Sequence, residues 1–248
     1  MADRSVLVSG GAGGLGRAVS AAFVAAGWRV VVPVRPAGTG TTGGVPASTE
    51  GAPAAPGDGS GPVDGVLRIP AELSDPDQVR VAVELAGGDA GAPLRAVVNL
   101  AGGYATGGLV HETPLADFEE MLARNLRPTY LVTRSALPYL VEAGGGSVVC
   151  VSSRAALRPF PGAAGYVTAK AAVLAFASAV DVEYRQSGVR CNTVVPSIID
   201  TPANRAAQPS ADHSRWVPPA EIAGVIRFLA SDESAPTSGA TIPVYGRA

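Results

Sequence analysis

Apolar residues follow two rhythms along the chain. The first is a short unbroken run of aliphatic and β-branched residues closed by glycine or a small polar residue. It occurs as "SVLVSG" (5–10), "WRVVVPV" (28–34), "VLRIP" (66–70), "LRAVVNLAGG" (94–103), "GSVVCVSS" (146–153), "VRCNTVVPS" (189–197) and "GATIPVYG" (239–246). Runs of this kind read as strands buried on both faces, as in a parallel sheet. The second rhythm has helical spacing. It covers "RAVSAAFVAAG" up to Gly27, a segment opened by Asp75-Pro76, a long one from Thr113-Pro114 to Gly145, another at 164–188, and one from Pro218-Pro219 to about Ala230. Proline at the first helical position and glycine past the last are the expected start and stop signals. Strands alternating with helices over the whole length predict an α/β class, a doubly wound parallel sheet of about seven strands in one Rossmann-like domain spanning 1–248.

One stretch breaks the alternation. Residues 36–64 are rich in Gly, Pro, Ser, Thr and Ala and almost free of large apolar side chains. Such a composition buries too little surface to offset chain entropy, so it reads as a flexible insertion.

Bulk composition changes this picture little. Of 248 residues, 47% are hydrophobic and 16% charged, enough for a large core. A net charge of −2 without basic clustering argues against a nucleic-acid partner. The longest apolar stretch, 171–180, is too short to cross a bilayer, and no leader-like pattern precedes the first strand. Cys150 and Cys191 both fall in strand-like runs, which predicts buried thiols and a reducing, cytoplasmic setting. No metal is expected.

Chemistry enters at "SGGAGGLGRA" (9–18), between the first strand and the first helix. Gly10, Gly14 and Gly16 allow a tight turn and a close backbone approach, so that a pyrophosphate meets the free N–H groups of a helix N-terminus. The plainer alternative is a glycine-rich turn with no ligand. An acid at the end of the second strand would bond the ribose hydroxyls. Val34 holds that position and Arg35 follows, which favours NADP(H) over NAD(H), since a guanidinium can bind a 2′-phosphate in bidentate fashion. Alternatively, Arg35 merely solvates the start of the loop.

Tyr166 and Lys170 stand at i and i+4, neighbours on one helix face. A free tyrosine has a pKa of about 10, and a nearby ammonium lowers it by stabilising the phenolate. Ser153, at the end of the fifth strand, lies at the carboxyl edge where open α/β sheets bind ligands.

Taken together, these segments resemble the short-chain dehydrogenase/reductase family over essentially the full chain. Ser9-Gly10-(x)3-Gly14-Leu15-Gly16 is similar to its T-G-x-x-x-G-I-G, and Asn99-Leu100-Ala101-Gly102 to its N-N-A-G. Asn125 stands where the family's helix asparagine does; Ser153, Tyr166 and Lys170 match S-(x)12-Y-x-x-x-K; and "PSIIDT" (196–201) resembles P-G-x-x-x-T. The resemblance implies a catalytic set of Asn125, Ser153, Tyr166 and Lys170. Tyr166 would exchange the proton, Lys170 would bond the nicotinamide ribose, Ser153 would hold the substrate oxygen and Asn125 would position a water. It implies cofactor contacts from Ser9, Gly10, Gly14, Leu15, Gly16, Arg35, Glu72, Leu73, Asn99, Ala101, Gly102, Tyr166, Lys170, Pro196, Ile199 and Thr201, with Glu72 replacing the aspartate that bonds the adenine amine. The implied reaction is hydride transfer between a nicotinamide cofactor and a small-molecule carbonyl or alcohol, in a homodimer or homotetramer built through the helices at 114–142 and 165–187.

Two other readings stand beside it. "AGGYATGGL" and "IDTPANRAAQPSADHSRWVPP" resemble quinonoid dihydropteridine reductase, although that enzyme type lacks the active-site serine. Fold alone would also accommodate a catalytically silent nucleotide sensor. Residues 197–216 read as a substrate lid, with Tyr104, Phe160 and Trp216 as candidate walls or, equally, ordinary packing aromatics.

Overall fold

The computed structural model describes residues 2–36 and 63–247. The predicted insertion therefore lies almost wholly outside the described residues. The strands are β1 (Ser5–Ser9), β2 (Arg29–Val34), β3 (Val66–Pro70), β4 (Leu94–Asn99), β5 (Gly146–Val151), β6 (Val189–Pro196) and β7 (Thr241–Val244). They form one seven-stranded sheet in the order β3-β2-β1-β4-β5-β6-β7, and every neighbouring pair is parallel. The reversal of direction beside β1 opens a crevice at the carboxyl ends of β1 and β4, the usual ligand position of such sheets. Pro33 is accommodated in β2 because the ladder to β1 stops at Val31, leaving β3 as its neighbour there.

The helices are α1 (Gly14–Ala25), α2 (Pro76–Gly87), α3 (Leu115–Asn125), α4 (Arg127–Glu142), α5 (Arg154–Leu157), α6 (Ala164–Tyr184), α7 (Pro202–Ala207) and α8 (Pro219–Ala230). Strand alternation divides the interior. Val6, Val8, Val30, Val32, Val98 and Val149 point into a core completed by Phe23 of α1 and Ile222, Ile226 and Leu229 of α8. Leu7, Val31, Val97 and Val148 point the other way, onto Val79 and Val83 of α2, Leu137 and Leu140 of α4, and Val173 and Val180 of α6. Fully burying a Val or Leu side chain contributes about 1.5–3 kcal/mol, so these two layers supply most of the drive that holds the sheet.

Local chemistry fixes the element ends. Asp75 caps α2, its Oδ1 accepting from the N–H groups of Asp77 (2.9 Å) and Gln78 (3.3 Å), with Pro76 at the first position. Gly188 closes α6 and its trailing turn in the left-handed region at φ 75°.

Two expectations need correction. The sequence read one helix from 114 to 142, whereas the structure breaks it at Leu126. Pro128 has no N–H to give the Arg124 carbonyl, and the Thr129 hydroxyl takes the Asn125 carbonyl at 3.1 Å. The second concerns membrane-spanning length. Ala164–Ser187 as a whole is long and apolar enough to cross a bilayer, unlike the 171–180 run by itself. Its Val173, Ala177 and Val180 are buried in the core against the sheet, so it serves as a core helix here. Cys150 and Cys191 are buried free thiols on β5 and β6, as anticipated.

Candidate active site

The glycine turn is built so tightly that side chains cannot enter it. Gly10 has φ 70°, and a Cβ there would lie 2.8 Å from the Ala101 nitrogen; at Gly16 it would lie 2.1 Å from the Gly10 carbonyl oxygen. At Gly14 a Cβ would meet the Thr201 methyl at 2.8 Å. Gly13 begins α1 without a side-chain cap, so the first-turn N–H groups are open to an anion. Leu15 turns its side chain into the core, which leaves only its backbone on this rim.

Ser9 and Asn99 hold the crevice from below. The Ser9 hydroxyl accepts from Leu100 N–H (3.2 Å) and Ala101 N–H (3.3 Å), joining the end of β1 to the segment after β4. Asn99 Nδ2 donates to Thr133 Oγ1 at 2.9 Å, while its Oδ1 is buried with no partner among the described residues. Beyond them, Asn125 is fully buried at the end of α3. Its Nδ2 donates to Gly103 O and Met121 O, each at 3.0 Å, and its Oδ1 accepts from Gly103 N–H at 3.2 Å. A Cβ on Gly102 would stand 2.5 Å from Asn125 Oδ1 and 3.2 Å from Lys170 Nζ. The chain therefore passes directly over both side chains, and only glycine fits.

Tyr166 and Lys170 lie on the first turns of α6, at the carboxyl edge of β5. Lys170 is 7% exposed; its Nζ donates to Val151 O at 3.3 Å and sits 6.0 Å from the Tyr166 ring centroid. On the other side, the Tyr104 ring meets Tyr166 edge to face, with centroids 5.1 Å apart at 87°. Ser153 lies two residues past the end of β5 and caps α5, its Oγ accepting from Ala155 N–H at 3.2 Å. Ser152 is buried beside it, and its hydroxyl donates to the Lys170 carbonyl at 2.7 Å, fixing α6 to the strand.

At the far end of the crevice, Arg35 Nε lies 3.2 Å from Glu72 Oε2. Glu72 is held by its backbone, whose N–H donates to Gln78 Oε1 at 2.8 Å; Leu73 next to it packs on the core. The sequence placed Arg35 and Glu72 in separate roles, one for a phosphate and one for the adenine, and the structure joins them in an ion pair.

Pro196 closes β6 and leads into the predicted lid, which is folded. A parallel bridge joins Ile199 to Val217, and Thr201 caps α7 by accepting from Asn204 N–H at 3.2 Å. Asp200 chelates Arg205 at 2.5 and 2.8 Å. The Asp200 carboxyl is held below its usual range, first by the Arg205 hydrogen bond. Trp216 is 7% exposed, with its ring 4.3 Å from that of His213, so it packs the base of this segment and is no wall. Tyr104 and Phe160 remain exposed.

The fold thus sets the predicted residues at six strand ends, β1 to β6, along the carboxyl edge of the sheet. Sequence reasoning missed the seat of Thr201 on Gly14, the clasp of Asn125 on Gly103 and the ring contact of Tyr104. The doubled glycines of "AGGYATGGL" were the one available signal for close packing there.

A cradle that any Cβ would fill, an uncapped helix start and an open buried acceptor on Asn99 together fit a dinucleotide. The comparisons agree. The family model for short chain dehydrogenases matches residues 4–212. The chain is 34% identical over 195 residues to 2-(R)-hydroxypropyl-CoM dehydrogenase of Xanthobacter autotrophicus, covering 74% of this chain and 78% of that one. It is 31% identical over 258 residues to 2,5-dichloro-2,5-cyclohexadiene-1,4-diol dehydrogenase LinX of Sphingobium indicum, covering 99% and 96%. A solved short-chain type dehydrogenase/reductase from Mycobacterium ulcerans superposes with a TM-score of 0.83 at 26% identity, covering 100% of this chain and 90% of that one. In fold, in motif order and in extent, the chain belongs to the short-chain dehydrogenase/reductase family, the NAD(P)-dependent oxidoreductases of alcohols and carbonyl compounds.

Proposed function

We propose that this protein is a ketone reductase or secondary-alcohol dehydrogenase working with NADP(H) in preference to NAD(H), with Tyr166 as its proton donor and acceptor. The observation that carries the reading is the position of Tyr166 and Lys170 at the carboxyl edge, beside the glycine cradle. Bound in this cradle, the nicotinamide would supply or take up the hydride.

The residues divide the remaining work. Gly10, Gly14 and Gly16 would admit a pyrophosphate to the start of α1, where Thr201 is seated against Gly14. Ser153 and Tyr166 hold the substrate oxygen between two hydroxyls. In reduction the carbonyl carbon receives the hydride and the oxygen takes the Tyr166 proton, giving the alcohol; oxidation runs the same steps backwards. The Lys170 ammonium favours the phenolate that remains. Asn125 keeps the Gly102–Gly103 backbone seated over Lys170.

Arg35 supports NADP(H): Val34 stands in the place of an acid at the end of β2, and a guanidinium, paired with Glu72, follows it. The face formed by Leu122, Leu126, Tyr130 and Phe176 is an apolar groove on α3, α4 and α6, and it supports self-association into a homodimer or homotetramer. Two reduced, buried cysteines support a cytoplasmic setting.

The test is turnover of NADPH and NADH against a panel of ketones and alcohols, with wild type and Tyr166→Phe. Wild-type turnover lost in Tyr166→Phe, with cofactor affinity retained, is the expected result. Cofactor binding with no compound accelerating its oxidation or reduction would favour a nucleotide sensor instead.

A further inference from the structure

A backbone hydrogen bond joins the walls beside Tyr166. Gly107 N–H, in the segment after β4, donates to Gly162 O, in the segment before α6, at 2.8 Å. Gly162 holds φ 80°, and a Cβ there would lie 2.6 Å from the Gly107 oxygen, so the clamp admits no side chain at this point. The two segments it fixes carry Tyr104 and Leu109 on one side and Leu157 and Phe160 on the other, all exposed and apolar. Ile198 adds a further exposed apolar side chain after β6.

Of these side chains, Tyr104 touches the proposed reacting group directly, through its ring contact with Tyr166. Cations near it are mostly engaged: Arg154 lies over the Tyr245 ring at 5.1 Å, and Arg205 is chelated by Asp200. Exposed Arg158 is the remaining handle for a charged substrate on the Phe160 segment.

We propose that Tyr104 is the specificity-determining residue of this site, and that the substrate is an uncharged ketone or secondary alcohol with an aromatic or bulky alkyl group. That group lies between Tyr104 and Phe160 while its oxygen meets Tyr166 and Ser153. The inference rests on the assignment of Tyr166 given under the proposed function. An exposed aromatic side chain pairs favourably with another ring, edge to face or offset-stacked. A clamped wall keeps this surface formed before substrate arrives, so little ordering cost is left to binding.

The experiment measures kcat and KM at saturating NADPH for acetophenone, acetone and pyruvate, in wild type, Tyr104→Ala and Tyr104→Phe. Cofactor affinity, followed by fluorescence, reports that each variant is folded. Wild type should prefer acetophenone to pyruvate by roughly tenfold or more in kcat/KM, as an apolar site discriminates. Tyr104→Ala should raise KM for acetophenone by about tenfold, shift that for acetone far less, and leave cofactor affinity unchanged, with Tyr104→Phe restoring the wild-type KM. An unchanged acetophenone KM in Tyr104→Ala, or a wild-type preference for pyruvate, overturns this proposal alone. A wild type that binds cofactor and reduces none of the three overturns the parent reading along with it.

Discussion

Arg35 and Glu72 face each other just past the ends of β2 and β3, so the guanidinium that would meet a 2′-phosphate is already engaged by a carboxylate. The pair is a competition. Arg35→Ala should weaken NADPH by roughly 1–3 kcal/mol, the worth of a charged hydrogen bond, and NADH much less. Glu72→Gln should release Arg35 and tighten NADPH relative to NADH. Titration of both cofactors against both variants checks this, and equal losses for the two cofactors in Arg35→Ala would remove Arg35 from phosphate recognition.

Gly14 and Gly16 should fail differently when a methyl group is added. Gly16→Ala drives a Cβ into the Gly10 carbonyl, a backbone atom with nowhere to go, and should destabilise the fold itself. Gly14→Ala meets only the Thr201 side chain, which can shift, so the fold should survive while cofactor affinity falls. Thermal melts with and without NADPH separate the two cases.

Asn125→Ala removes three hydrogen bonds and leaves Gly103 with unpaired backbone groups. A loss of about 2–3 kcal/mol is expected, which corresponds to a Tm lower by roughly 5–10 °C for a domain of this size. Because Gly102 overlies Lys170 Nζ, kcat should fall beyond what the lost stability explains. Rates measured well below the melting range test that.

Asp181 sets an acid limit. Burial alone would raise its pKa, but hydrogen bonds from Arg185 and Ser238 outweigh that and hold it below the ordinary 3.8. A group with a depressed folded value stabilises fully above its unfolded pKa. That contribution fades as pH falls from about 4 towards the folded value. Asp181→Asn should therefore lower stability at neutral pH and flatten its decline below pH ~4. Urea melts across that range give the measurement.

How much of this was legible beforehand depends on the distance over which each feature is decided. Strand and helix positions follow from local runs, and Asp75-Pro76 or Gly188 announce ends within a few residues. Their alternation predicted one parallel sheet, whereas the order of the strands in it came only from the structure. The break at Leu126 was hidden because the helical spacing runs on through Pro128, and a proline can also stand in the first turn of a helix. Arg35 and Glu72 are separated by a stretch whose length gives no clue to their meeting. Trp216 could be a wall or a packing residue by sequence, and its burial is decided by how the segment after β6 folds back, which no single run encodes. The candidates Ser153, Tyr166 and Lys170 could be named for the opposite reason: their spacing is set within one helix and one strand end.

The alternation of strand residues between two helical layers also governs how the protein can change. Val6 and Leu7 are adjacent in the chain yet belong to different neighbourhoods, one shared with Phe23 and Ile226, the other with Val79 and Val83. Substitutions that alter volume at one should find their compensation across space within the same layer and combine almost additively with changes at the other. The sheet is in this sense a partition of the protein's mutational history, with each side free to drift on its own terms.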